Sequence, residues 1–537
     1  MAKSEAFWIT RFLLSLVALL FLLASCAPNQ TVPGEILITI LVDEEERQIL
    51  APLGSGVEDV LNLAGVSLGL LDRVEPDYQT SLYEGDSLRV VRVSEEFESG
   101  EELLPFERRI LRNESLAQGE QRLIQVGKNG MAEITFRLIY EEGQLISRTR
   151  VNSSIIEDTR DEIVMLGVQA PATSLTISGR LAFLAAGNAW LIEENTGIRR
   201  LLVASGDLDG RIFSISPDEK WLLFSREAKS AESINTLWVV GLDETNDVEI
   251  DLAVSNVVHF ADWVPHEDSR VAFSSVELSL NPPGWQANND LQYVDISTSQ
   301  TVSNASLLIS SRSDSLYSWW GTNFSWSLDG MQLAYTSPDS IGLVDIDDDR
   351  LTVLQELLIF QTESEWAWMP EISWAPDANL LFSVNHVEQP GLDNQERSPF
   401  FDIVAIDIEQ NSSLRVAERA GMFANPVASP LLNTADGEAN YLLAYLQALN
   451  PGQSDVSLYQ LIVSNPDGSN PVVIFPTIGT PGLAPQKIVW SPVPDDANSS
   501  LSIALVFQDN LWIVDAANGR AQQITGDGLV NGISWSQ

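Results

Sequence analysis

The sequence predicts a mainly β chain: a seven-bladed β-propeller, with six or eight blades as alternatives, preceded by a small grasp-like α+β module and an elongated antiparallel β module. Three observations carry this. A short apolar strand ending in Trp-Ser-Pro-Asp, or a variant of it, recurs seven times between positions 215 and 535, at a spacing of about 53 residues that suits four strands per blade. The last copy, Trp535-Ser536, opens a blade with no strands after it, while residues 180–203 read as the later strands of a blade with no opening one. Ahead of the repeats, apolar and polar residues alternate between glycines, the pattern of half-covered antiparallel sheet.

The chain starts with Lys3 and Arg11 around the beginning of an apolar run, Phe12 to Leu23. At about 1.5 Å per residue that run falls short of the roughly 30 Å hydrocarbon core, so residues 1–25 read as an export signal. Leu23-Ala24-Ser25-Cys26 resembles a bacterial lipobox. The resemblance implies that Cys26, the single cysteine of 537 residues, is lipidated and anchors an exported chain to the extracytoplasmic side of the cell membrane. One cysteine allows no intramolecular disulfide. Residues 26–34 lack periodicity and read as a tether.

Residues 35–94 are the α+β module. Ile36, Ile38 and Ile40 mark one face of a strand that Asp43-Glu44-Glu45-Glu46 turns back into Arg47–Ala51. Ser55-x-x-Glu58 reads as a capping box ahead of Val57, Val60, Leu61 and Ala64 on one helical face, with Gly65 as the stop. Leu88–Val93 closes the module as a strand. The run Ile38-x-x-Leu41-Val42-Asp43, Val57-x-Asp59-Val60-Leu61-x-x-Ala64-Gly65-Val66, Asp72-Arg73-Val74-x-Pro76 and Gly85-Asp86 resembles the module of unknown activity that precedes the catalytic domains of bacterial resuscitation-promoting factors.

Residues 97–168 carry Gly119, Gly127, Gly130, Gly143 and Gly167 between strands such as Glu133–Tyr140. With Pro105-Phe106 before them, these five glycines resemble the five-glycine (G5) domain, thin β modules of bacterial surface proteins. That family is often proposed to contact N-acetylglucosamine-containing glycans, which the resemblance extends to this segment as an implication. The glycines themselves point first to turn geometry.

Gln169–Ser174 reads as a hinge, and residues 174–537 as the propeller. The opening strands are Ile215-Ser216-Pro217-Asp218, Trp263-Val264-Pro265, Trp326-Ser327-Leu328-Asp329, Trp374-Ala375-Pro376-Asp377, Ala428-Ser429-Pro430, Trp490-Ser491-Pro492 and Trp535-Ser536. Third strands leave through an aspartate, as at Asp295, Asp345, Asp407 and Asp515. Asn188-Ala189-Trp190 leading to Gly197 matches Asn510-Leu511-Trp512 leading to Gly519, so the C-terminal strand is expected to complete the first blade and cover two sheet edges. The array resembles the TolB-type, WD-like propeller repeats of bacterial envelope proteins. The blade boundaries near 351–370 and 430–440 are indistinct.

A net charge of −45, from 75 acidic against 30 basic residues, argues against a nucleic-acid partner. The three histidines, His259, His266 and His386, lack metal-ligand spacing, and no Gly-x-Ser-x-Gly elbow occurs, so neither catalytic residues, metal nor cofactor is expected. Asp345, Asp347, Asp348 and Asp349 read as a solvated turn rather than a calcium loop. Five tryptophans fall outside the repeat: Trp285, Trp319, Trp320, Trp366 and Trp368. They sit in connections that a propeller projects on one face, where aromatic rings suit sugar rings or a protein loop, or plug the channel. The expected function is recognition or scaffolding at a cell-wall glycan or envelope protein. An enzyme acting on wall glycans or peptides and a purely structural spacer are the alternatives.

Overall fold

The computed structural model describes residues 34–536 apart from 114–115, 117–118, 168–173, 245–246, 268, 298, 314–316, 363, 434–438, 478 and 495–499. Cys26, the export signal and most of the expected hinge therefore lie outside the described residues. The chain is mainly β and forms two compact units. One takes in the described residues up to Arg109 with Ile124–Glu162, the other Ile110–Leu123 with Ile163 onward.

In the first unit, Glu35–Val42 pairs antiparallel with Glu45–Pro52 through a two-residue turn, Asp43-Glu44, in which both residues have positive φ. The same strand pairs in parallel with Ser87–Val91, which carries Arg73–Glu75 on its far side. The helix Val57–Leu63 covers the sheet and buries Val57, Val60 and Leu61 against Ile36, Ile38, Ile40 and Leu88. Its cap lies one residue later than the sequence reading. Gly56 is the cap, and its backbone N–H donates to the Asp59 carboxylate at 3.0 Å, while Ser55 is buried. The extended backbone at Gly56 suits a cap, and the shorter Asp59 side chain reaches back where Glu58 does not. Gly65, with φ +68, ends the helix, and the Val66 N–H donates to the Leu61 carbonyl. Beyond this module, Val93–Leu104, Gly130–Glu141 and Gln144–Glu157 form a three-stranded antiparallel sheet with Gly130–Glu141 in the middle.

In the second unit, seven four-stranded antiparallel sheets follow one another from residue 176 onward among the described residues. Each is built on one opening strand. The second to seventh sheets open with Leu208–Ile215, Ala261–Trp263, Asn323–Trp326, Ile372–Trp374, Val427–Ala428 and Val489–Trp490. The first consists of Thr176–Ala185, Asn188–Asn195 and Arg200–Val203 with the C-terminal strand Val530–Trp535 at its edge. Leu181 faces Trp535 there, and Phe183 faces Ile533. The indistinct boundaries resolve as Arg350–Glu356, the fourth strand of the fourth sheet, followed by a connection, and as a small hairpin pairing Leu432–Asn433 with Ala439–Asn440.

The recurring phrase has a physical cause. After four of the opening strands a serine turns its hydroxyl back onto the start of the next strand: Ser216 accepts from Trp221 N at 2.9 Å, Ser327 from Gln332 N at 2.9 Å, Ser429 from Leu442 N at 3.0 Å and Ser491 from Ser502 N at 3.0 Å. Where an aspartate follows two residues on, it holds that hydroxyl, as Asp218 and Asp329 do at 2.6 Å. The tryptophan joins neighbouring sheets. Trp263, Trp374 and Trp490 donate from the indole N–H to the carbonyls of Ser214, Ser325 and Val427 on the preceding opening strand, at 2.9–3.1 Å. Ile215 N donates to Ser534 Oγ at 3.0 Å, which links the second sheet to the C-terminal strand. Phe260 and Phe324 stack edge to face between the third and fourth sheets. Ala504, Leu511 and Ile513 of the seventh share a buried cluster with Leu181, Phe183 and Trp535 of the first. Leu111, Ile163 and Met165 belong to that cluster too.

Candidate functional site

Three of the five predicted tryptophans come together. Trp285 starts the short strand Trp285–Ala287, part of a hairpin with Val276–Leu278 inside the connection between the second and third strands of the third sheet. Trp319 and Trp320 lie in the connection from the third sheet to the fourth, and the carbonyl of Trp319 accepts from Ala287 N at 3.0 Å. The ring centroids of Trp285 and Trp320 are 5.1 Å apart, and those of Trp319 and Trp320 are 5.7 Å apart. Trp285 is buried, whereas Trp319 and Trp320 are half-buried.

Two residues that the sequence reading passed over complete the group. His259 sits against both Trp285 and Trp320, with centroids 5.0 and 5.3 Å away. Burial pulls its pKa down to about 4, and its Nε2 has no hydrogen-bond partner among the described residues. Gly321, with φ +144, lets the backbone lie flat on the imidazole, where any side chain would collide with it. Tyr317 extends the aromatic row beside Trp319, at 6.4 Å. Its place two residues before the tryptophan pair was the available signal.

The connection carrying this row is fixed from beneath by Asn289, whose amide donates to the carbonyls of Arg312 at 2.9 Å and Ser318 at 2.7 Å and accepts from Thr322 Oγ1 at 2.9 Å. A cleft of about 300 Å³ opens alongside, lined by Arg312, Ser318, Thr322, Asp339 and Ser340 with the apolar floor of Leu351 and Val353. The cleft therefore offers planar and hydroxyl polar groups, and the tryptophan pair lies in the chain between two of its lining residues, Ser318 and Gly321, a combination that suits a polyhydroxylated ring.

Trp366 and Trp368 lie elsewhere. Trp368 is 2 % exposed, packs on Phe401 and donates to the Met422 carbonyl at 3.2 Å, and Trp366 packs on the same buried cluster. Periodicity outside the repeat did not distinguish them from surface rings. His386 belongs to this interior as well. Its ring stacks on Phe401, and its nitrogens face the carbonyls of Leu358 at 2.9 Å and Ser398 at 2.8 Å. Burial pushes its pKa down. In the aspartate-rich turn, Asp345 pairs with Arg350 at 3.1 Å and accepts from Asp348 N, while Asp349 accepts from Ser310 Oγ at 2.6 Å.

The opening strands bring a second polar group together. Lys487 Nζ lies 3.2 Å from Glu371 Oε2, and Asn323 Nδ2 reaches the same oxygen at 3.4 Å. These residues stand three positions before Trp490, Trp374 and Trp326, a register that aligned copies of the repeat would have exposed.

Comparison with known proteins bears chiefly on residues 95–169, which match the G5 domain family and include the predicted 97–168 segment. The structure of the IgA1 protease G5 domain is 26 % identical over 15 % of this chain and 94 % of that one, with a TM-score of 0.12. TolB from Acinetobacter baumannii is 11 % identical, covering 65 % of this chain and 77 % of its own, with a TM-score of 0.32. The periplasmic gluconolactonase of Pseudomonas aeruginosa is 11 % identical, covering 67 % and 99 %, with a TM-score of 0.40. No curated protein matches the chain. Residues 95–169 are a G5 domain.

Proposed function

We propose that this chain is an exported envelope lipoprotein, anchored through Cys26, that binds a cell-wall glycan without turning it over. In this reading the seven sheets are the blades of a propeller sealed by Val530–Trp535, and the α+β module and the G5 domain lie between anchor and propeller along the chain. The lipobox resemblance, the G5 match and the order of the sheets support it. One observation carries the choice of ligand: the half-buried Trp319–Trp320 pair, set in the chain between Ser318 and Gly321, which line a polar cleft. The apolar C–H faces of a sugar stack on indole faces, while Arg312, Thr322 and Asp339 meet its hydroxyls. Tethering raises the effective concentration at the wall, so modest affinity per site suffices.

The test is a glycan array together with a peptidoglycan pull-down, comparing the soluble 27–537 fragment with its Trp319→Ala/Trp320→Ala variant. Retention by wild type and loss of about tenfold or more in the variant is the expected result. Equal retention of both would remove the aromatic site from the reading. Absence of retention in both would favour an envelope-protein partner or a spacer.

A further inference from the structure

A hollow of about 290 Å³ runs along the opening strands of the fourth, fifth and sixth sheets, from Glu371, Asn425 and Lys487 at the starts of strands to Leu328, Pro376 and Pro430 beyond their ends. The Lys487 side chain lines this hollow, and 72 % of its surface is accessible. We propose that the hollow is a binding site for a small zwitterion of the amino-acid or dipeptide kind, separate from the aromatic site and independent of it.

Charge and size lead to that class. Lys487 and Glu371 project from sheets with another sheet between them, so their 3.2 Å contact spans the hollow rather than a seam. A water-exposed pair of this kind contributes only about 0–1 kcal/mol to stability, which is a weak structural reason for placing a lysine there in a chain of net charge −45. Glu371 holds Lys487 charged.

The hollow thus offers one carboxylate and one ammonium. A simple anion meets Glu371, and a simple cation meets Lys487. A molecule bearing both charges satisfies both ends: its ammonium replaces Lys487 at Glu371, and its carboxylate takes the N–H groups that Lys487 releases. Asn323 keeps Glu371 oriented during the exchange. The volume lies below the roughly 300–1,000 Å³ of drug-sized pockets, which limits the occupant to a few residues' worth of atoms.

Isothermal titration of the full chain tests this with alanyl-alanine, N-acetyl-alanyl-alanine and alanyl-alanine amide. Saturable binding of the unblocked dipeptide is expected, with each blocked form at least tenfold weaker. Lys487→Gln and Glu371→Gln should each weaken the unblocked dipeptide at least tenfold, and Trp319→Ala/Trp320→Ala should leave it unchanged. No binding of the unblocked dipeptide, or equal binding of a blocked form, overturns the proposal. The blocked-ligand series needs only wild-type protein, so the result stands even if a variant fails to fold. Because the tryptophan variant is read in the same titration, failure here and failure of the glycan reading are distinguishable.

Discussion

The indole N–H of Trp535 donates to the carbonyl of Ser178 at 2.9 Å, joining residues 357 positions apart in the chain. Ser536 Oγ accepts from Arg180 N at 2.8 Å beside it. The C-terminal strand is thus held by side chains as well as by its ladder with Leu181–Ala185. Trp535→Ala removes a ring that is 5 % exposed together with that bond, and should cost about 3–5 kcal/mol. A shift in denaturant midpoint no larger than that of an exposed-site control such as Leu280→Ala would show that the strand contributes little.

The tryptophans of the opening strands are not equivalent. Trp374 donates to Ser325 at 2.9 Å, whereas Trp326 Nε1 is buried without a partner among the described residues. Phenylalanine preserves most of the packing and removes only the N–H. Trp374→Phe should therefore cost about 1 kcal/mol for the lost bond, while Trp326→Phe should be neutral or slightly stabilising, because an orphaned donor is no longer buried. Thermal unfolding of the two variants side by side checks this, and equal losses would contradict it.

Much of this arrangement was legible because it repeats. The Trp-Ser-Pro-Asp phrase is recognisable in the sequence since its serine and aspartate build the same turn where both are present, as at Ser216-Asp218 and Ser327-Asp329. The return of Ile533 beside Phe183 followed from an unmatched first strand and an unmatched last one. The strand Arg73–Glu75 was missed because three residues are too few to show alternation. The fate of Trp366 and Trp368 was missed because a connection has no period from which to infer burial. His259 and Lys487 were missed for another reason: their roles arise from neighbours on other sheets, which local pattern does not contain.

The glycines of the G5 domain separate into two kinds, and substitution should reveal it. Gly143 has φ +77 with open space where a Cβ would go, so Gly143→Ala pays only for left-handed backbone, about 1 kcal/mol. Gly130 has no such φ, but a Cβ there would collide with the backbone of Glu157 on the neighbouring strand. Gly130→Ala has to move a strand and should cost at least about 2 kcal/mol more. Melting temperatures of the two variants decide the matter, and a larger loss at Gly143 would reverse the assignment.

The depressed pKa of His259 makes stability depend on pH in a known direction. In the unfolded chain the imidazole takes up its proton near pH 6.5, and in the folded chain only near 4. Burial is the main cause. The positive charge of Arg211 adds to it, and the Trp320 carbonyl and Glu371 oppose it. Between those values the unfolded state binds more protons, so the stabilisation is complete above about pH 6.5 and is lost as pH falls toward 4. Each pH unit between the two values is worth about 1.4 kcal/mol, so the loss across this window is on the order of 3 kcal/mol. Carboxylates elsewhere also titrate at the acid end, so the comparison is with His259→Gln, which lacks the ionisation and retains a polar group of similar reach. Denaturant midpoints at pH 7.5 and pH 4.5 should fall further in wild type than in the variant. Parallel decreases in the two would show that His259 accepts its proton as readily between Trp285 and Trp320 as it does in water.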